Sequence, residues 1–344
     1  MAVQTVFRTV AGTTQVSEVL AVKDVTALVR ADRSDGVKVT IPAMYHHDLL
    51  GIGARPDKQT PFRPQQCCGP VFAQVNHAAR RLDNNIGLAR AEQPTAVTCQ
   101  RRQANLCEDL QFINGAYAEF IRIPERIVRH NLLILPDDLS FREAAMTEPL
   151  ACVVRAVEET GIVEGDTVVV IGIGPIGLMF VQVLKTLGAR VLAIGKRTAQ
   201  LELASHLGAD HTINPADGNV VEQVRRITQG RRGADVVIEA VGITETWQQA
   251  MGMVRRGGTI NLFGGCPSGT HIPLDTTLIH YSEITIKASF HHTPRHIREA
   301  LEAIHRGRVK AHMLITAEES LDSLRGVLER LLSRNGDLKV AILP

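Results

Sequence analysis

The spacing of apolar residues changes character near residue 144. Before it, apolar positions alternate or fall in short runs, at Thr5-Val6-Phe7, Gln15 to Leu20 and Val25 to Val29, with no sustained helical period. This predicts a β-rich, loop-rich module. A further strand is expected after the turn at Asn114-Gly115, and Leu135-Pro136-Asp137-Asp138-Leu139-Ser140 punctuates the chain before a helix capped by Ser140. From Ala144 onward helices alternate with buried strands, expected at 167–171, 191–194, 235–239, 259–263 and 283–287. Such alternation predicts a parallel, doubly wound sheet. A helix over Arg295 to His305, another near Glu318 to Leu332 and a strand over Leu338 to Leu343 complete the pattern. These last elements are expected to return to the first module. The domains read as 1–151 with 292–344, and 152–291.

The most informative junction is Val168-Val169-Val170-Ile171-Gly172-Ile173-Gly174-Pro175-Ile176-Gly177, an apolar strand running into a G-x-G-x-x-G turn. One glycine makes the tight turn, one lets the backbone approach a pyrophosphate, and one lets the next helix pack closely. The helix then offers free N–H groups to the phosphates. Context supports the motif, because Leu178 to Leu184 reads as an apolar helix and Arg190 to Ile194 as a second strand. Gly172, Gly174, Pro175, Ile176 and Gly177 are therefore candidate dinucleotide-binding residues.

At the end of that second strand an NAD site normally carries an acid for the ribose 2′-OH. Here Gly195 is followed by Lys196 and Arg197. Without a carboxylate to repel a 2′-phosphate, and with a forked guanidinium and a point charge beside it, NADP(H) is favoured over NAD(H). On this reading Gly195→Asp should move preference toward NAD(H).

A chain of 344 residues exceeds what one core usually serves, which agrees with two domains. Basic and acidic residues are nearly balanced, 38 against 36, with no long run of one sign, so no nucleic-acid or membrane-surface partner is expected. No apolar stretch reaches membrane-spanning length and no signal core opens the chain, so a cytoplasmic protein acting on a small molecule is expected. Cys67, Cys68, Cys99, Cys107, Cys152 and Cys266 are too dispersed for a disulfide scaffold.

Several segments together resemble the medium-chain dehydrogenase/reductase superfamily, nearest its zinc-type polyol (sorbitol) and threonine dehydrogenase branch. They are Arg102 to Cys107, Gly115 to Phe120, Leu135-Pro136-Asp137, Glu148-Pro149-Leu150-Ala151, the glycine turn, Leu207-Gly208-Ala209-Asp210, and Gly233 to Glu239. The resemblance implies an α/β protein with a Rossmann domain over 152–291 and a β-rich GroES-like catalytic domain from the remainder. It implies hydride transfer between a nicotinamide and an alcohol/carbonyl pair, in the cleft between the domains of a homodimer or homotetramer. It also implies that Ala240, Val241, Phe263 and Gly264 lie against the cofactor.

The likeness fails where that family holds its catalytic zinc. Asp32 stands where the resemblance expects cysteine, and Pro64-Gln65-Gln66-Cys67-Cys68-Gly69 supplies no histidine–carboxylate pair. Catalytic zinc needs three thiolate, imidazole or carboxylate ligands. Asp32, Cys67 or Cys68, His46 or His47, and Glu148 leave an improvised site open, but the ligand set is unknown and zinc is not expected. Cys99 and Cys107 alone cannot close the family's structural zinc lobe. Without a metal, a protonated His46 or His47, or a water held by Glu148, would polarise the carbonyl. These three are the catalytic candidates. The alternatives are a zinc-independent quinone or enone reductase of the same superfamily and a non-catalytic dinucleotide-binding protein. Association is expected through Glu283 to Phe290, whose alternation suits an exposed sheet edge.

Overall fold

The computed structural model describes residues 2–10, 13–15, 27–32, 36–44, 71–74, 103–106, 132–333 and 336–343. Contacts divide the chain into two compact units. One comprises Met1–Glu148, Thr293–His305 and Ala311–Pro344, and the other Pro149–His292 and Arg306–Lys310.

The first unit is built on strands β1 (Ala2–Val10), β2 (Thr13–Gln15), β3 (Ala27–Asp32), β4 (Gly36–Met44), β5 (Val71–Gln74) and β6 (Leu132–Ile134). Helix α1 (Phe141–Ala144) follows, and its cap is the expected one, Ser140 Oγ accepting from the Glu143 N–H at 3.2 Å. Helix α2 (Thr147–Thr160) then leads out of this unit.

The second unit carries six parallel strands: β7 (Thr167–Ile171), β8 (Arg190–Ile194), β9 (His211–Ile213), β10 (Ala234–Glu239), β11 (Val254–Leu262) and β12 (Thr285–Ala288). Between them run α3 (Pro175–Thr186), α4 (Thr198–His206), α5 (Val220–Ile227), α6 (Thr244–Met253) and α7 (Thr276–Tyr281). The sheet order is β12-β11-β10-β7-β8-β9, a doubly wound Rossmann arrangement. Its central strands read Val-Val-Val-Ile and Val-Leu-Ala-Ile because both faces are covered, which is the condition that selects unbroken apolar runs. On one face Val169, Leu192, Val237 and Ile260 pack with Val224, Ala250 and Met253 of α5 and α6.

The tail re-enters the first unit through α8 (Pro294–His305), β13 (Ala317–Ser320), α9 (Leu324–Leu332) and β14 (Val340–Leu343). Strand β14 pairs antiparallel with β4 and parallel with β13. The helix expected over 318–332 is thus corrected at its start. Ala317–Ser320 is a strand with alternating exposure, because pairing with β14 satisfies its backbone, and the helix begins only at Leu324. Strand β9 was not expected: three residues, two of them exposed, leave almost no apolar pattern.

The glycine turn depends on one close approach. A Cβ built on Gly177 would stand 1.9 Å from the Gly172 carbonyl oxygen, whereas one on Gly174 would meet nothing within 4 Å among the described residues. Gly177→Ala should therefore destabilise the apo protein by about 1–3 kcal/mol, the usual cost of overpacking. Gly174→Ser, which puts a good capping residue at the helix start, should leave stability within roughly 0.5 kcal/mol. Urea unfolding of the two variants checks this, and equal losses would refute it.

Candidate functional site

Three loops meet where β7, β10 and β11 end, beside the point at which the strand order reverses. Open α/β sheets bind ligands at this place. The first loop is the glycine turn. Gly172 has φ +91°, the left-handed region that glycine tolerates, and its N–H donates to Ile194 O at 2.9 Å. Gly174 is the N-cap of α3, with Pro175 in the first turn. Ile176 is buried behind it. The bare Cα of Gly174 serves no packing within the described residues, which leaves that backbone open to a ligand.

The second loop, Ala240-Val241-Gly242, touches the first: a Cβ on Gly172 would lie 2.4 Å from Val241 Cγ2. The third, Phe263-Gly264-Gly265, is drawn in by β10, whose Glu239 carbonyl accepts from the N–H groups of Phe263 at 3.0 Å and Gly264 at 2.8 Å. Phe263 packs edge-on against buried Phe180, with ring centroids 5.1 Å apart. Trp247 Nε1 donates to Gly264 O at 3.0 Å.

At the centre of these loops is Glu239, fully buried. Its Oε1 accepts from Val241 N at 2.9 Å, Gly242 N at 3.0 Å and Thr246 Oγ1 at 2.7 Å. Burial pushes its carboxyl above the ordinary glutamate range, and these hydrogen bonds only partly oppose that rise. Burial also raises the thiol of Cys266, with the Glu239 charge adding to the effect. The sequence reading used Glu239 only as the end of a strand; an acid closing an apolar run was the signal available.

At the end of β8, Gly195 is buried, Lys196 exposed and Arg197 half-buried at the N-cap of α4. Neither the Lys196 nor the Arg197 side chain bonds to another described residue. A Cβ on Gly195 would lie 2.2 Å from Ile173 Cγ1 and 2.5 Å from its Cδ1. Here the structure corrects the expectation for Gly195→Asp. The added side chain must first displace buried Ile173, so the single substitution is a packing defect as well as a change of charge.

Among the catalytic candidates, Glu148 lies half-buried in the first turn of α2. His46 and His47 lie outside the described residues, as do Gln65, Gln66, Cys67, Cys68, Cys99 and Cys107. Only the strand position of Asp32 is described, at the end of β3.

A second constellation escaped the sequence reading. Cys152 on α2 lies with His291 and His292, which follow β12, their ligand atoms within 4.8 Å of one another. Glu148 belongs to the same group, one helical turn ahead of Cys152. The Glu-x-x-x-Cys spacing and the histidine doublet were legible, but nothing local connects them.

The raised carboxyl of Glu239 has a definite sign in stability. The native state holds this proton more tightly than the unfolded chain, so the stabilisation is complete below the ordinary glutamate range and is lost as pH rises through the raised value. The unfolding free energy of wild type relative to Glu239→Gln should therefore fall with pH across that window. A difference independent of pH would contradict the assignment.

Residues 175–306 match the family described as zinc-binding dehydrogenase. A sorbitol dehydrogenase of Bacillus subtilis (strain 168) is 34% identical over 299 residues, 83% of this chain and 82% of its own. A D-arabitol-phosphate dehydrogenase of Enterococcus avium is 31% identical over 251 residues, 71% of this chain and 69% of its own. Among solved structures, an alcohol dehydrogenase from Thermus sp. ATN1 aligns with a TM-score of 0.65 and 31% identity over 72% of this chain and 73% of its own. A zinc-binding dehydrogenase from Sinorhizobium meliloti 1021 bound to NADP aligns with a TM-score of 0.71 and 25% identity over 100% of both chains. These relatives give no support to the expectation that zinc is absent. Nor do they favour a quinone reductase or a non-catalytic protein. The chain is a dinucleotide-dependent oxidoreductase of the alcohol/polyol dehydrogenase type, and it belongs to the zinc-type alcohol and polyol dehydrogenase branch of the medium-chain dehydrogenase/reductase superfamily.

Proposed function

We propose that this chain transfers hydride between NADP(H) and the alcohol/carbonyl pair of a small polyol, and that it works as a homodimer. The observation that carries the cofactor choice is the end of β8. Gly195 is backed by Ile173, which leaves no place for an acid there, while Lys196 and Arg197 make no side-chain bond to other described residues that would compete with a 2′-phosphate. The NADP found in the Sinorhizobium relative supports the same choice. The pyrophosphate would lie along Gly172 to Gly177 at the α3 N-terminus, with Ala240, Val241, Phe263 and Gly264 against the remainder of the cofactor. The polyol class rests on the sorbitol and arabitol-phosphate dehydrogenases among the relatives. Glu148, His46 and His47 are the groups proposed to handle the substrate proton and, where no metal does so, to polarise the carbonyl.

Titration calorimetry should find NADP(H) bound more tightly than NAD(H), and Arg197→Ala should narrow the difference by about 1–3 kcal/mol, the scale of a hydrogen bond to a charged group. Equal affinities in wild type would rule the reading out. Gly195→Asp alone should lower the melting temperature, and only with Ile173→Ala should it move preference toward NAD(H).

The homodimer rests on β12, which closes one edge of the six-stranded sheet among the described residues, and an edge strand offers its outer backbone groups to a partner. Light scattering at micromolar concentration should report twice the chain mass. Lys287→Pro, placed in the middle of that edge, should yield monomer, and a wild-type monomer would contradict the assignment.

A further inference from the structure

The side chains of Cys152, His291 and His292 form a donor set that none of the sequence-level zinc candidates contains. A thiolate with two imidazoles suits zinc, and three protein ligands with one further position make a catalytic type of centre. Tetrahedral zinc sets its nitrogen and sulfur ligands roughly 3.3–3.6 Å apart. The ligand atoms here already lie within 4.8 Å of one another, little more than that spacing. His292 is 5% exposed, and Cys152 and His291 are half-buried, so water is largely kept from the group.

The framework around the group is built for rigidity. Arg155, three residues after Cys152 on α2 and itself buried, donates through Nη1 to the carbonyls of Phe290 at 2.5 Å and His291 at 3.1 Å. Its other guanidinium nitrogen pairs with Glu159, whose second carboxylate oxygen accepts from Ser289 Oγ at 2.9 Å. Ser289 Oγ in turn accepts from Asn261 Nδ2 at 3.0 Å, and Lys287 Nζ donates to Glu159 O at 2.8 Å. The chain leaving β12 is thus fastened to the helix that carries Cys152. His291 is held at φ +67°, a left-handed conformation that a side-chain-bearing residue adopts only when its surroundings impose it. Strained backbone of this kind gathers at ligand clamps.

We infer that Cys152, His291 and His292 bind one zinc ion in place of the ligands lost from the family pattern at Asp32 and Gln65-Gln66. The Glu148 carboxylate stands one helical turn before Cys152. Zinc held here would supply a Lewis acid for a carbonyl oxygen. The metal assignment is independent of the NADP reading, since it uses none of the residues placed against the dinucleotide.

The test is metal binding by the full chain after dialysis against chelator, followed by addition of zinc or cobalt alone. Elemental analysis should return one zinc per chain, and the cobalt form should show a sulfur-to-cobalt charge-transfer band. Cys152→Ser should lose that band. Cys152→Ser and His292→Ala should each weaken zinc binding by more than the roughly 10–100-fold that loss of an outer partner costs. NADP(H) affinity should be unchanged in both variants, which separates failure here from failure of the cofactor reading. Zinc should also slow alkylation of Cys152 in the wild-type protein, read by peptide mass spectrometry, so the test does not depend on variants that fold. A wild type that takes up no zinc would overturn the inference. So would a charge-transfer band retained in Cys152→Ser, or an alkylation rate at Cys152 indifferent to zinc.

Discussion

The buried carboxylate of Glu239 ties together the rim of the six-stranded sheet at which β7, β10 and β11 end. A parallel sheet brings several strand ends to one side, and the loops leaving them carry backbone groups that neither strand nor helix satisfies. Glu239 answers that need twice. Its carboxylate accepts from the N–H groups of Val241 and Gly242, and its carbonyl accepts from those of Phe263 and Gly264. Burying a carboxylate is costly unless it is hydrogen-bonded, and the elevated carboxyl shows that part of this cost remains. The residual cost is accepted where backbone must be held still beside a ligand.

Close packing at that rim explains why glycine recurs there. Side chains on Gly242 and Gly264 would collide with one another's loops, since a Cβ on Gly264 would sit 2.4 Å from Gly242 N and 2.7 Å from Glu239 Oε2. Gly177 is confined in the same way against Gly172, whereas Gly174 faces no atom of the described residues within 4 Å. Two physical demands therefore share one motif: some glycines let the protein approach itself, and another lets something else approach the protein.

Around α2 the same logic is carried out with charge. Arg155 and Glu159 lie one turn apart on the helix, and between them they fasten Lys287, Ser289, Phe290 and His291. A short segment after an edge strand would otherwise be free to move. Fastened to the helix, it holds two histidines in one place beside Cys152. Held donors lose little entropy when an ion arrives, which is the advantage of preorganisation.

Local chemistry alone determined much of this protein. The unbroken apolar runs of β7 and β8, the glycine turn between them and the missing acid at Gly195 were legible because strand burial, left-handed turns and phosphate approach each act within a few residues. The family followed from motifs of the same short range. The strand at Ala317–Ser320 was not legible, because its polar sequence becomes a strand only through pairing with β14. Nor could sequence reveal that Ile173 fills the space beside Gly195, or that Cys152 meets His291 and His292. Those contacts join segments far apart in the chain, and only the folding of α2 and the strand-ending turns onto one sheet brings them together.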